Sequence, residues 1–333
     1  MAEHKIAIVN SSSFGRIFEE HISELQKIGQ VERFEFDQKI PGRELAEALN
    51  GYNMIIASVT PFFDEEFFKY KDELKLISRH GIGYNNVDLE AAKAHNTLVT
   101  IIPALVEREA VAEQNITNLL NIMRRVNESS AAVRNDKWKN RAQYIGNSLF
   151  NKTIGLIGIG NTGSCMAEIL RLGFRCKVIA YDPYKSNLDI ERFGAEKVSL
   201  DYLLMNADVI CLAANLTDES FNIINESAIS KMKDRVYISN SARGALVNEM
   251  ALVKGLKSGK IAGYATDVLE VEPGGKNHPY LQFNNVIITP HTGAYTQECL
   301  KAMGDKCVDD VKRVSINQMP VRAIQSKSMY VTN

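Results

Sequence analysis

The chain contains 333 residues, 45% hydrophobic and 24% charged, with 39 basic and 40 acidic side chains for a net charge of −1. This length favours two domains, and the composition is typical of a soluble globular protein. The balanced charge argues against nucleic acid as a partner, and no apolar run reaches the roughly 18 residues that a membrane span requires. The five cysteines lack metal-site or disulfide-framework spacing. With no signal-peptide core, we expect a cytoplasmic protein with reduced, buried thiols and no metal site.

Short apolar strands alternate with helical segments from the amino terminus onward, which indicates parallel sheets with crossover helices. A first helix is expected over 14–28, and a long helix over about 107–126 follows Pro103. The strands expected in the first hundred residues lie at 6–9, 31–36, 54–57, 74–78 and 97–102. Together they predict one small α/β unit.

The second half carries six expected strands, at a spacing typical of a doubly wound dinucleotide fold. They lie at 153–157, 177–181, 208–212, 235–239, 262–265 and 286–289. The first runs into a G-x-G-x-x-G motif, in which the absence of side chains permits a sharp turn and lets a diphosphate approach a helix N-terminus. Its glycines are Gly158, Gly160 and Gly163.

The second of these strands ends at an acid, Asp182, 22 residues after Gly160. A carboxylate there can accept hydrogen bonds from both ribose hydroxyls of an adenosine, and its charge would repel a 2′-phosphate. The sequence therefore predicts NAD, with NADH preferred over NADPH.

A last helix, at roughly 295–315, follows the sixth strand and is not needed to complete that sheet. We therefore expect a discontinuous substrate domain of flavodoxin-like α/β type, at 1–102 and 294–333. A doubly wound, parallel-sheet Rossmann domain at 103–293 would be inserted into it and bind NAD, and the cleft between two such domains is the natural active site.

Arg243, Asp267, Glu272 and His291 come just after expected strand ends, where ligands bind in such sheets. A histidine can donate the proton in 2-keto acid reduction, a carboxylate can fix its tautomer, and an arginine can bind the substrate carboxylate or polarise the ketone. Taken singly, each could be an ordinary surface or loop residue. Their succession after a dinucleotide loop favours the catalytic interpretation, with the hydride coming from the cofactor.

The whole chain resembles the D-isomer-specific 2-hydroxyacid dehydrogenases. The motifs that carry the resemblance are Gly81-Ile82-Gly83-Tyr84-Asn85-Asn86-Val87-Asp88, Ala110-Val111-Ala112-Glu113, the glycine loop, Tyr181-Asp182-Pro183-Tyr184, Ser241-Ala242-Arg243-Gly244, Asp267-Val268 through Glu272-Pro273, and Thr289-Pro290-His291. The resemblance implies an NAD-dependent enzyme that interconverts 2-keto acids and D-2-hydroxy acids, and a homodimer formed through the NAD-binding domain.

The resemblance also implies roles for individual residues. Arg243, Glu272 and His291 would be catalytic, Asp267 would bind the nicotinamide carboxamide, and Asp182 the adenine ribose. The backbone of Asn161 and Thr162 would bind the diphosphate, with further cofactor contacts from Ala214, Asn215, Thr217, Ser241, Ala242 and Arg243. The substrate would be bound by His80, Gly81, Ile82 and Gly83, together with Arg243 and His291.

Three segments depart from the family pattern. The segment Ala213-Ala214-Asn215-Leu216-Thr217 stands where the family often has His-x-Pro-Leu-Thr, Gln114 stands where histidine is common, and Asn85 replaces a usual aspartate. None of these belongs to the catalytic trio.

The segment Ala57-Ser58-Val59-Thr60-Pro61-Phe62-Phe63 lacks the arginines of phosphoglycerate-specific relatives and suits an uncharged substrate such as pyruvate or a branched or aromatic 2-keto acid. Phe62 and Phe63 could equally be ordinary core residues. The chain ends about 40 residues after His291, so no regulatory C-terminal domain is expected. Alternatives are a 3-phosphoglycerate dehydrogenase, a hydroxypyruvate or glyoxylate reductase and, in a different class, an NAD-responsive corepressor-like interaction protein.

Overall fold

The computed structural model describes residues 4–324, which form two compact units. The first unit comprises the described residues up to Val106 and from Thr296 onward, and the second runs from Glu107 to Tyr295. The chain thus leaves the first unit once and returns to it.

The elements of the first unit up to residue 100 are β1 (His4–Val9), α1 (Glu20–Gln26), β2 (Gly29–Phe34), α2 (Gly42–Ala48), β3 (Met54–Ala57), α3 (Glu65–Tyr70), β4 (Leu76–Arg79), α4 (Leu89–Ala94) and β5 (Leu98–Thr100). The second unit contains α5 (Arg108–Arg124), α6 (Val126–Arg134), β6 (Thr153–Ile157), α7 (Asn161–Leu172), β7 (Lys177–Tyr181), α8 (Asn187–Glu191), β8 (Glu196–Lys197), α9 (Leu200–Asn206), β9 (Val209–Leu212), α10 (Glu226–Lys231), β10 (Val236–Asn240), α11 (Glu249–Lys257), β11 (Ile261–Thr266) and β12 (Val286–Ile288), with 3₁₀ turns at Trp138–Tyr144, Gly244–Leu246 and Pro279–Gln282. The first unit is then completed by α12 (Gln297–Ser315) and β13 (Ala323–Ile324).

The sheet of the first unit has the strand order β2–β1–β3–β4–β5–β13, in which only β13 runs antiparallel. The order 2-1-3-4-5 is that of flavodoxin-like sheets, so this part of the expected fold class is confirmed. The strands β1 and β3 to β5 are mostly buried, because helices cover both faces of a parallel sheet. Their buried residues are apolar except for Ser78, Arg79 and Thr100.

Helix α12 packs against β4 and α1 in the first unit. Its fully buried Asp310 accepts hydrogen bonds from Ser78 Oγ at 2.8 Å and Thr100 Oγ1 at 2.6 Å, and pairs with Lys306 Nζ at 2.5 Å. Burial raises the pKa of Asp310, although the charge of Lys306 and the hydrogen bonds from the two hydroxyl groups act in the opposite direction. This polar cluster fixes the helix in register on β4 and β5.

The sheet of the second unit has the order β8–β7–β6–β9–β10–β11–β12, with every strand parallel. Counted from β6, this is the Rossmann order 3-2-1-4-5-6 with a seventh strand at the edge. The Rossmann assignment is confirmed, but the expectation of six strands was wrong. The two-residue β8 was missed because it is too short to show a period.

Several element boundaries in the first unit also differ from the prediction: β4 begins two residues later and β5 ends two residues earlier than expected, and α1 and β2 differ as follows. The helix expected over 14–28 begins only at Glu20, because Gly15 adopts φ +64° and Arg33 binds the carbonyls of Ser11 and Phe14 at 2.8 and 2.6 Å. These bonds hold the preceding segment in a turn. Strand β2 lies two residues earlier than expected, since its register pairs Gly29 with His4 of β1.

Candidate active site

The glycine loop connects β6 to α7 in the second unit. Gly158 has φ +88°, and a Cβ on it would lie 2.6 Å from the Ala214 backbone, while a Cβ on Gly163 would lie 2.4 Å from the Gly158 carbonyl oxygen. Both glycines are therefore required by packing. Gly160 caps α7, and a Cβ there would meet nothing within 4 Å. The space above the helix N-terminus is open, which suits close approach of a diphosphate.

Asn161 and Thr162 are the first two residues of α7. The N–H groups of a first helical turn have no partner within the helix and point along its axis toward any anion bound there. The roles expected for these two residues are thus compatible with where the structure places them.

The segment that departs from the family pattern follows β9, next to the glycine loop. The Ala213 side chain lies 3.3 Å from where a Gly163 Cβ would be. Farther on, Thr217 N–H donates to Ser220 Oγ at 2.8 Å, and Ser220 Oγ donates to the carbonyl of Asn215 at 2.7 Å. Small alanines and a serine-closed turn therefore shape this side of the loop.

Asp182 lies at the end of β7 and is 9% exposed. Its carboxylate accepts N–H groups from Ile159 of the glycine loop and from Tyr184, each at 3.0 Å. The acid thus ties two neighbouring strand ends together, and each oxygen keeps lone-pair capacity for a ligand hydroxyl.

The acid and the histidine expected to form a catalytic pair are in contact. Nδ1 of His291 lies 2.7 Å from Oε2 of Glu272, whose other oxygen accepts the Leu269 N–H at 2.8 Å. Because a carboxylate only accepts, Nδ1 carries the proton and Nε2 is the nitrogen available for proton exchange. The histidine side chain is 43% exposed.

Each member of this pair shifts the pKa of the other. The hydrogen bond that His291 Nδ1–H donates to Glu272 raises the pKa of His291 above its ordinary value, against burial and the charge of Arg243. Burial opposes ionisation of Glu272, but the hydrogen bond and charge of His291, the Leu269 N–H and the charge of Arg243 lower its pKa. The pair is therefore held as carboxylate and a readily protonated imidazole.

Arg243 follows β10 and lies near enough to influence both partners electrostatically. Its Nη1 donates to the carbonyl of Ala242 at 2.7 Å. Its backbone is held by Asn240, which donates to the Arg243 carbonyl at 2.9 Å and accepts the Ala242 N–H at 3.0 Å. The structure thus brings together Arg243, Glu272 and His291 from three adjacent strand ends.

Asp267 at the end of β11 is 2% exposed and binds the loop that carries His291. It accepts hydrogen bonds from Thr289 Oγ1 at 2.5 Å, Thr292 N–H at 2.9 Å and Gly293 N–H at 2.7 Å. These contacts hold the loop in which His291 has φ +54°. The nicotinamide contact expected of Asp267 stays a prediction.

Sequence reasoning missed two buried asparagines of α5 that support these strand ends. Asn115 Nδ2 donates to Ser241 Oγ at 2.6 Å, and Asn118 Nδ2 donates to Thr289 Oγ1 at 2.9 Å. The two asparagines are three residues apart among the apolar positions of a long helix. This spacing could have indicated that they are buried and hydrogen-bonded, since a buried amide needs a partner.

The glycine loop expected to bind substrate follows β4 in the first unit. Gly81 has φ +157°, and its carbonyl accepts the Ile102 N–H at 3.2 Å. His80 is buried, and burial together with the charges of Arg79 and His21 lowers its pKa to about 3. His80 is therefore neutral at physiological pH, and the structure gives it no acid–base role.

The described residues, 4–324, contain neither a membrane-spanning helix nor a cluster of metal-binding side chains. None of the helices there is long and apolar enough to cross a bilayer. No group of three or more His, Cys, Asp or Glu side chains there could hold a metal ion. The five cysteines all lie within this part of the chain, where they are buried and form no disulfide bond.

A Rossmann unit with an acid–histidine pair and an arginine past its strand ends defines a dinucleotide-dependent oxidoreductase. The profile of the D-isomer specific 2-hydroxyacid dehydrogenase NAD binding domain matches residues 116–293. The chain therefore belongs to the D-isomer-specific 2-hydroxyacid dehydrogenase family, whose members act on the CH–OH group of 2-hydroxy acids.

Individual relatives agree with the family assignment. The chain is 33% identical to a D-3-phosphoglycerate dehydrogenase of Archaeoglobus fulgidus, over 92% of this chain but only 57% of that protein. It is 31% identical to a glyoxylate reductase of Thermococcus litoralis, over 92% of this chain and 93% of that protein. The crystal structure of D-lactate dehydrogenase from Aquifex aeolicus complexed with NAD and lactic acid superimposes with a TM-score of 0.82 at 29% identity, covering 97% of this chain and 100% of that one.

Proposed function

We propose that this protein reduces a 2-keto acid with an uncharged side chain to the D-2-hydroxy acid, using NADH. The observation that carries the proposal is the contact between His291 and Glu272 beside Arg243. NADH, when bound, supplies the hydride. His291 donates the proton to the carbonyl oxygen from Nε2, Glu272 holds the imidazole in the correct tautomer, and Arg243 binds the negatively charged end of the substrate.

We propose that the second unit binds the dinucleotide and the first unit the substrate carboxylate. The open space at Gly160, the first turn of α7 and the carboxylate of Asp182 support the first assignment. The loop at 81–83 supports the second, because backbone N–H groups between glycines can approach a small anion closely.

The segment after β3 supports an uncharged substrate side chain. Residues 57–63 contain no lysine or arginine. Val59 and Phe62 are 54% and 55% exposed, whereas Phe63 is fully buried and packs edge-on against Phe67. Phe63 is thus a core residue, while Val59 and Phe62 present apolar surface and no group that would pair with a phosphate.

A panel of keto acids with both cofactors tests this proposal. We expect faster NADH oxidation with 2-ketoisocaproate, phenylpyruvate or pyruvate than with 3-phosphohydroxypyruvate. We also expect NADPH to be poorer than NADH, and Asp182→Ala to reduce that discrimination, since the acid repels a 2′-phosphate. Preference for the phosphorylated acid would reject the apolar substrate, and NADH binding without any turnover would favour an interaction protein.

We also propose that a second copy of this chain binds the surface formed by α6 and the segment after it. Helix α6 buries only Ala132. Trp138 and Ile145 are 67% and 80% exposed, and Val126, Val133 and Phe150 are also exposed. So many large apolar side chains within 25 residues are typical of an interface that a partner covers.

Light scattering on the purified chain checks this surface. We expect twice the monomer mass of 37.2 kDa for the unchanged protein. Trp138→Glu should shift the equilibrium to monomer, because a buried unpaired charge destabilises an interface. Leu188→Glu, an equally exposed apolar position of α8, serves as the control and should remain dimeric. A monomeric unchanged protein would reject the proposal.

A further inference from the structure

The cationic side chain of Arg79 is buried directly behind the glycine loop at 81–83. Arg79 is the last residue of β4 and is 2% exposed. A Cβ built on Gly81 would lie 3.0 Å from Arg79 Nη2, so the guanidinium lies against the loop backbone. Burying a charged group is costly, and such a group is kept where its contacts or its charge have a use.

The guanidinium connects two loops that are distant in sequence. Its Nε donates to the carbonyl of Gly83 at 2.8 Å, and its Nη1 donates to the carbonyl of Ala57 at 2.7 Å. A planar fork can make both bonds at once, which an ammonium group cannot do with the same geometry. Arg79 therefore fixes the 81–83 loop relative to the segment that begins at Ala57.

Asn86 reinforces the same connection from the other side of the loop. Its Nδ2 donates to the carbonyl of Pro61 at 2.9 Å and to that of Ser58 at 3.2 Å. Together, Arg79 and Asn86 hold carbonyl oxygens at both ends of the 57–61 segment. When carbonyl oxygens point toward a buried cation, the negative ends of the peptide dipoles lie on that side of the backbone. The opposite side is then more favourable for an anion.

The charge of Arg79 affects the ionisation of the residue next to it. It contributes, after burial, to the lowered pKa of His80, which precedes the glycine loop. A fixed positive charge behind a loop stabilises a carboxylate in front of it, and more strongly where water is excluded.

We propose that Arg79 is a positioning residue for the substrate carboxylate, acting through the 81–83 loop and through its charge. This inference rests on the proposed function, in which that loop binds the 2-keto acid. Arg79 does not touch substrate, so its removal should raise KM for the keto acid and leave NADH binding, which uses the second unit, unchanged.

The experiment compares Arg79→Met, Arg79→Lys and Ser78→Ala in the full chain. Ser78 is the adjacent buried residue of β4, and its hydroxyl binds Asp310. KM and kcat for 2-ketoisocaproate, Kd for NADH and Tm are measured for each. We expect Arg79→Met to raise KM at least about 10-fold with NADH Kd within 2-fold, and Arg79→Lys to show a smaller increase because it keeps the charge but not the fork. Ser78→Ala should lower Tm without changing KM.

The outcomes separate the inference from the function on which it rests. If the unchanged protein turns over no 2-keto acid, the proposed function fails and this inference fails with it. If the unchanged protein is active and Arg79→Lys and Arg79→Met keep its KM, the function stands and the positioning role is rejected. If Arg79→Met does not fold, Arg79→Lys decides: an unchanged KM rejects the role, and a raised KM with unchanged NADH Kd supports it. An equal rise in KM for Ser78→Ala would assign the effect to stability alone.

Discussion

Replacing His291 with alanine is expected to reduce kcat for keto-acid reduction by about 10²–10⁴-fold, the range typical of general acid catalysis. The NADH Kd should change little, because the features proposed to bind the dinucleotide, at Gly160, α7 and Asp182, do not involve this side chain. Stopped-flow or steady-state NADH oxidation, combined with NADH titration by fluorescence, measures both quantities.

A second histidine–glutamate pair in the same unit provides the control. His278 Nε2 lies 3.1 Å from Glu249 Oε2, so this imidazole pairs with a different carboxylate from the one that holds His291. His278→Ala should therefore retain kcat within a few-fold. If His291→Ala keeps the wild-type rate, the proton comes from another group.

Replacing Glu272 with glutamine is expected to lower kcat by about 10²-fold and to move the pH profile of reduction. In the proposed mechanism, reduction needs protonated His291, whose pKa is raised by the hydrogen bond that Nδ1–H donates to Glu272. In the unchanged protein, kcat/KM for reduction should therefore persist above the ordinary histidine range and fall only as pH rises through the raised pKa. Glutamine removes the charge and can present an N–H to Nδ1, so the falling limb should move to lower pH.

The reverse reaction gives the opposite sign and an internal check. In the proposed mechanism, oxidation of the hydroxy acid needs neutral His291, so its rate should rise with pH, and Glu272→Gln should move that rising limb to lower pH as well. If the pH profiles of Glu272→Gln match those of the wild-type protein for both reduction and oxidation, Glu272 does not set the protonation of His291. Initial rates between pH 5 and 10 in both directions are sufficient.

Much of this protein could be predicted from local pattern. The glycine loop and strands 153–157 and 177–181 have the bounds that were expected, because apolar β-branched runs and a G-x-G-x-x-G turn determine their own local conformation. The family and fold class followed from the same motifs and are confirmed. The contact between Glu272 and His291 was expected, since parallel strands end at one edge of the sheet.

What the sequence could not determine depends on partners distant along the chain. Helix 14–28 was predicted too long because Arg33 reaches the carbonyls of Ser11 and Phe14 only when β2 lies beside β1. Phe62 and Phe63 are adjacent and chemically identical, yet one is exposed and the other is core, and only tertiary packing distinguishes them. Arg79 was not singled out, because its role requires Ala57 and Gly83 to meet at one guanidinium. Local conformation and residue chemistry were thus determined by the sequence alone, whereas burial and long-range hydrogen bonding were decided by the fold.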